Sequence, residues 1–86
     1  MWDIYFTQQA QQDAKKIAHS NLKSKVQNLL EIIRTDPFAY PPKFEMLRGE
    51  LKGFISRRIN KQHRLVYQVF EEENAIKILK MWTHYE

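Results

Sequence analysis

The spacing of apolar residues changes once along this chain, at Asp36-Pro37, and this change limits the possible folds more than any other feature. Before it, apolar side chains recur at helical spacing over Gln8–His19 and Leu22–Ile33, which predicts two amphipathic helices, the first capped by Thr7. Proline disfavours helical geometry in the preceding residue and has no amide hydrogen, so the second helix is expected to end there. Beyond the proline-rich connector 37–42 the pattern is strand-like.

Five strands are predicted around these helices. One alternating segment, Trp2 to Phe6, precedes the helices, and four strand-like segments follow the connector, at 43–48, 54–60, 63–70 and 75–82. Short connections between the last four favour antiparallel hairpins. We therefore predict one α+β domain over residues 1–86, in the order strand, helix, helix, then a four-strand antiparallel meander. Both helices should pack on one face of the sheet and leave the other face to solvent.

The charge of the chain is concentrated in one region. The formal net charge is +4, and six cations lie between positions 48 and 64, opposed there only by Glu50: Arg48, Lys52, Arg57, Arg58, Lys61 and Arg64. Such a cluster suits a polyanion, although solvated strand residues that only maintain solubility have the same pattern. The absence of cysteine excludes disulfides and thiolate metal sites.

No targeting segment is recognised in the sequence. The N-terminal residues lack the basic flank and apolar run of a secretory signal, and nowhere do about 18 apolar residues run together. We therefore expect a cytoplasmic protein that does not bind membranes.

Two arginines, Arg58 and Arg64, stand on consecutive predicted strands and can act together only if they share a face. Because side chains alternate along a strand, residues of equal parity on the two strands share a face only if the connection has an odd number of residues. We predict such a connection, of about three residues. His63, beside it, is predicted to be a turn or packing residue.

Several catalytic classes do not fit this sequence. The serines lie in no nucleophile elbow, the histidines have no metal-ligand spacing, and two glycines cannot form a phosphate-binding loop. Metal-free cleavage of a phosphodiester remains, which needs a base, a cation for the phosphorane charge and an acid for the leaving oxygen. Glu45, Arg64 and His84 have these chemical types, but their spacing alone does not single them out.

The motifs of the chain resemble the Txe/YoeB branch of the RelE toxins over nearly the whole sequence. The resemblance is carried by Lys43-Phe44-Glu45-Met46-Leu47-Arg48, by the segment Leu51 to Ile59 with its Ser56-Arg57-Arg58-Ile59, by Gln62 to Tyr67 and by the terminal His84-Tyr85. It implies the toxin of a type II toxin–antitoxin system. Such a toxin is an endoribonuclease that cleaves mRNA in the ribosomal A site and thereby inhibits translation.

The resemblance also implies residue roles. Glu45 would be the general base, Arg64 would stabilise the phosphate, His84 would be the general acid and Tyr85 would position the substrate. The RNA-binding set is predicted to be Arg48, Lys52, Arg57 and Arg58, with no cofactor or metal. The implied partners are mRNA on the ribosome and an acidic antitoxin of the YefM/Axe type, and the resemblance also suggests a homodimer.

Two other functions fit the same sequence. A non-catalytic RNA- or ribosome-binding module would use the same basic face, and it would show salt-sensitive binding without strand scission. A gyrase-inhibiting toxin would keep the fold, but the terminal His84-Tyr85 argues against it.

Overall fold

The structure is a computed structural model that describes residues 1–51 and 53–82. It contains two helices and five strands in the predicted order. Their bounds are β1 Asp3–Phe6, α1 Gln8–Ala18, α2 Lys23–Thr35, β2 Phe44–Met46, β3 Phe54–Arg58, β4 Arg64–Phe70 and β5 Ala75–Lys80. Short 3₁₀ turns at Gly49–Leu51 and Glu71–Glu73 join β2 to β3 and β4 to β5.

The helix boundaries follow from local chemistry. The Thr7 hydroxyl accepts a hydrogen bond from the Ala10 amide at 3.0 Å, which confirms Thr7 as the N-cap of α1. At the other end, α2 stops at Thr35, and Asp36 adopts the extended backbone that the following proline favours. The predicted stop at Asp36-Pro37 is therefore confirmed.

The sheet has the strand order β1-β5-β4-β3-β2. Strands β2 to β5 form the predicted antiparallel meander. The sheet is mixed at one edge, where the first strand, β1, pairs in parallel with β5. The two helices carry the chain from β1 to the opposite edge, and the meander then returns until its last strand lies beside the first.

Both helices pack on one face of this sheet, as predicted. The buried core combines residues of the helices with alternate residues of the strands: Ala10, Ile17, Val26, Leu29, Ile33, Ile55, Ile59, Leu65, Tyr67, Ile76 and Ile78. We call this the covered face of the sheet and the opposite one the open face. In the described part of the chain, neither helix has the length and hydropathy needed to cross a bilayer.

Candidate active site

Strand register brings three residues of the predicted site onto the open face. Glu45 pairs with Ser56, and Arg58 pairs with Arg64. Because Ser56 and Arg58 are two residues apart on β3, their side chains lie on the same face. The connection between the paired arginines is odd, as predicted, but it contains five residues, 59–63, instead of about three.

These side chains line one cavity. Its volume is about 230 Å³, and it is lined by Lys43, Phe44, Glu45, Ser56, Arg58 and Arg64. Glu45 and Arg58 are exposed, whereas Arg64 is half-buried. The structure thus brings together a carboxylate and two guanidinium groups from three different strands.

The turn between β3 and β4 orients Arg64. The Asn60 side-chain oxygen accepts hydrogen bonds from the backbone amides of Gln62 and His63 at 2.9 and 2.7 Å. Arg64 Nη1 in turn donates to the Asn60 carbonyl at 3.1 Å. One side of the guanidinium is therefore held by a closed turn at the rim of the cavity.

The arginine pair has an electrostatic consequence. Cβ atoms of directly opposed strand residues are about 4.5–5.5 Å apart, and like charges at that position repel each other. An anion between Arg58 and Arg64 would offset this repulsion and accept charge-assisted hydrogen bonds from both. The pair is therefore well suited to a phosphate group.

Arg57 does not belong to this site, and its predicted RNA-binding role is not supported. Its side chain is completely buried on the covered face. The guanidinium donates to the carbonyls of the connector, at 2.6 Å to Pro42, 2.9 Å to Ala39 and 3.2 Å to Pro37. Because the Arg57 side chain is inaccessible to solvent and is held by these bonds, the guanidinium cannot contact RNA in this conformation. Arg57 has the same parity as Ile55 and Ile59, and this pattern in the sequence could have indicated its burial.

Tyr67 completes the contacts of Arg57. The phenol oxygen accepts from Arg57 Nε at 2.9 Å and donates to the Pro37 carbonyl at 2.6 Å. Burial raises the pKa of Tyr67, while the hydrogen bond and the charge of Arg57 act in the opposite direction. The same guanidinium lies 4.8 Å from the centre of the Phe44 ring. This network ties the connector to β3 and β4 immediately before Glu45.

The remaining predicted residues have different outcomes. Arg48 is exposed but is not among the residues that line the cavity. Lys52, His84 and Tyr85 lie outside the described residues. The last described residue, Trp82, stacks on His63 with ring centres 4.2 Å apart, which confirms His63 as a packing residue.

The predicted site did not include Phe44 or two polar residues that line the cavity, Lys43 and Ser56. Lys43 precedes Glu45 by two positions and Ser56 precedes Arg58 by two, so strand alternation was a signal that could have found both. Lys43 adds a third cation to the cavity. Ser56 is only 6% exposed and offers a hydroxyl at the cavity wall.

The geometry supports a defined set of chemical functions. Glu45 provides a proton acceptor, and Arg58 and Arg64 provide donors of fixed charge that match phosphate oxygens. Among the described residues, Lys43 is the one further charged residue that lines this cavity. An anionic ligand that must lose a proton suits this arrangement.

Comparison with known proteins places the chain in a family. Residues 2–85 match the model of the YoeB-like toxin of bacterial type II toxin–antitoxin systems. The chain is 36% identical over 85 residues to the toxin YoeB of Synechocystis sp., a match that covers 99% of this chain and 88% of that protein.

Solved structures show the same fold. A chain of the YoeB–YefM complex from Staphylococcus aureus superimposes with a TM-score of 0.83 at 38% identity and 99% coverage of both chains. The YoeB dimer from the same organism gives a TM-score of 0.82 at 37% identity and 98% coverage of both. The predicted RelE-like α+β fold is thereby confirmed. Over 84 of its positions, from Trp2 to Tyr85, this chain belongs to the family of YoeB-like toxins of bacterial type II toxin–antitoxin systems.

Proposed function

We propose that this toxin is a ribosome-dependent, metal-independent endoribonuclease that cleaves mRNA in the ribosomal A site and so inhibits translation. The observation that carries the proposal is the cavity on the open face, where Glu45 lies with Arg58 and Arg64. RNA supplies its own nucleophile, the 2′-hydroxyl, so the protein needs only to bind, orient and transfer protons.

In the proposed reaction, Glu45 accepts the proton of the 2′-hydroxyl as its oxygen attacks the adjacent phosphorus. Arg64 and Arg58 hold the phosphate and stabilise the negative charge that develops on it. His84 donates a proton to the departing 5′-oxygen, and Tyr85 positions the substrate. The bond to the 5′-oxygen breaks and leaves a 2′,3′-cyclic phosphate. Arg48 and Lys52 are proposed to contact the RNA backbone outside the cavity.

The first test replaces the proposed base and acid. In a translation extract with a defined mRNA, Glu45→Gln and His84→Ala should each lower the cleavage rate about 10²- to 10⁴-fold, because positioned acids and bases contribute roughly that much. Glu71→Gln is the matched control, since Glu71 is exposed in the turn between β4 and β5 and does not line the cavity. Full activity in both site variants would show that the proposed roles are wrong.

The second test concerns the nucleophile and the ribosome. Replacing the 2′-hydroxyl at the cleaved nucleotide by hydrogen should abolish cleavage. A chelator that removes metal ions other than those that the ribosome needs should leave the cleavage rate unchanged. Naked mRNA should be cut far more slowly than mRNA on the ribosome. Salt-sensitive RNA binding with no scission under any of these conditions would favour the non-catalytic binding module.

We also propose an acidic antitoxin of the YefM/Axe type as partner and a homodimer as one assembly state, since a YoeB–YefM complex and a YoeB dimer are known from Staphylococcus aureus. A cytoplasmic location follows from the proposed site of action on ribosomes. Expression of the wild-type chain alone should stop growth, and co-expression of the acidic partner should restore it. Normal growth at high levels of the isolated active chain would contradict the toxin proposal.

A further inference from the structure

A buried acid, Asp13, has no part in the proposed reaction. It lies on α1, and its side chain is completely inaccessible to solvent. One carboxylate oxygen accepts a hydrogen bond from Gln9 Nε2 at 2.9 Å, one turn earlier on the same helix. The other accepts from the backbone amide of Met81 at 3.0 Å, across 68 positions of sequence.

The position of this contact is informative. Removing a carboxylate from water is costly, so a buried Asp is expected to make hydrogen bonds that matter to the structure. Met81 directly follows the end of β5, and the Thr7 hydroxyl, at the start of α1, donates to the Leu79 carbonyl at 2.7 Å. Helix α1 therefore holds the backbone at the point where it leaves the sheet.

The next residue is held from another side. The Trp82 ring stacks on His63 at 4.2 Å with an interplanar angle of 25°. His63 immediately precedes Arg64, whose side chain lines the cavity. The chain therefore reaches residue 82 beside the turn that carries one of the phosphate-binding arginines.

We infer that Asp13 is a positioning residue for the catalytic C-terminal segment, acting through Met81 and Trp82. The inference rests on the proposed function, in which His84 is the general acid. Two residues of chain span at most about 7 Å, so a proton donor at position 84 requires that the backbone at Trp82 be held within reach of the bound phosphate. By accepting the hydrogen bond of the Met81 amide, Asp13 fixes the backbone one residue before Trp82.

Two substitutions separate this role from simple burial. Asp13→Leu removes the acceptor for the Met81 amide but keeps a side chain of similar length. Asp13→Asn keeps an oxygen for that amide, and rotation of the Gln9 amide lets its oxygen accept from the new NH₂ group. The inference predicts loss of activity in the first variant and retention in the second.

The kinetic experiment uses the full chain and ribosome-bound mRNA. Asp13→Leu should lower kcat at least about tenfold with little change in KM, because a displaced catalytic group can cost as much as about 10² in rate without weakening substrate binding. Asp13→Asn should stay within about threefold of wild type. Ile33→Val, a core change at the far end of α2, is the control for general destabilisation.

A spectroscopic readout follows the anchor without using activity. The chain has two tryptophans, so Trp2→Phe leaves Trp82 as the only indole emitter. In that background Asp13→Leu should increase quenching of Trp82 by acrylamide, whereas Asp13→Asn and Ile33→Val should not.

The outcomes separate the two ideas. If wild type cleaves mRNA but the kcat of Asp13→Leu equals that of Ile33→Val, the positioning role is wrong. It is also wrong if Asp13→Asn loses as much activity as Asp13→Leu. If wild type does not cleave at all, the proposed function and the catalytic meaning of the anchor are both wrong. The quenching data then decide only whether Asp13 holds Trp82.

Discussion

At the scale of single residues, the adjacent arginines Arg57 and Arg58 show how strand alternation separates identical side chains. Arg58 points to the open face and lines the cavity, whereas Arg57 points to the covered face and binds the connector. Whether a cationic side chain of β3 lies at the cavity therefore depends on whether its position in the strand faces the open or the covered side of the sheet. A count of positive charges does not distinguish the two.

Replacement of each arginine by methionine tests this difference. Arg57→Met removes the Arg57 donor from the partly buried carbonyls of Ala39 and Pro42, whereas the Pro37 carbonyl keeps the Tyr67 hydroxyl. Each carbonyl left without a donor costs about 1–3 kcal/mol, so we expect the free energy of unfolding to fall by at least ~2 kcal/mol. Arg58→Met, on the exposed surface, should change it by no more than about 0.5 kcal/mol. Urea unfolding of both variants gives the comparison. Equal losses would mean that the buried network contributes nothing specific.

Tyr67 makes the same network sensitive to alkaline pH. Its pKa is raised in the folded protein, mainly by burial, from the ordinary value of 10.0. The folded state therefore holds the phenol proton more tightly than the unfolded state, so the stability from this group is complete below about pH 10 and is lost as pH rises through the folded pKa.

The expected result is a loss of stability above about pH 10 that is steeper in wild type than in Tyr67→Phe, which has no phenol proton at this position. Urea unfolding between pH 8 and 11 measures it. Lysines titrate over the same range in both proteins, so only the difference between them reports on Tyr67. Parallel curves across the whole range would contradict the assignment.

At the scale of elements, helix α1 connects the first strand to the last one. Its cap residue Thr7 follows β1 and also donates to the Leu79 carbonyl of β5. The start of α1 is therefore hydrogen-bonded to the parallel β1–β5 pair, and Asp13 adds a second hydrogen bond, from the Met81 amide. The sequence predicted the cap but contained no signal for these contacts, since the partners lie about seventy positions away.

The two threonines of the helices form a matched pair for testing the cap. Thr7→Ala removes the bond to the Ala10 amide and the donor to Leu79, and caps of this kind are worth about 0.5–2 kcal/mol, so we expect a loss near the upper end. Thr35→Ala removes only an exposed hydroxyl that bonds to the Glu31 carbonyl one turn earlier, and should cost no more than about 0.5 kcal/mol. Thermal or urea unfolding distinguishes them, and equal costs would show that neither the cap bond nor the contact of Thr7 with Leu79 contributes measurably.

At the scale of the whole molecule, the helices cover one face of the sheet and leave the cavity on the other. A chain of this length buries too small an interior to enclose a deep pocket, so its candidate site is a cavity on the exposed surface of a sheet. Lys43, Arg58 and Arg64 give that cavity its positive charge. Affinity for RNA is therefore expected to depend on salt.

Arg58→Gln should weaken binding of single-stranded RNA and reduce the slope of log K against log salt by about 0.7, the value for one lost phosphate contact on a single strand. Lys25→Gln removes the same charge from an exposed position on α2, away from the cavity, and should leave the slope unchanged. Fluorescence anisotropy in a Glu45→Gln background prevents cleavage during the titration. Equal slopes for the two variants would show that net charge, and not the cavity, governs binding.

The sequence by itself determined the order of helices and strands, the cap at Thr7, the stop at Asp36-Pro37 and the shared face of Arg58 and Arg64. All of these depend on neighbours within a few residues or on the two-residue period of a strand. Only the tertiary structure decided that β1 lies parallel to β5, that Arg57 binds the connector and that Asp13 holds Met81. These contacts join residues far apart in sequence, and local periodicity carries no information about which distant backbone groups will meet a buried charge.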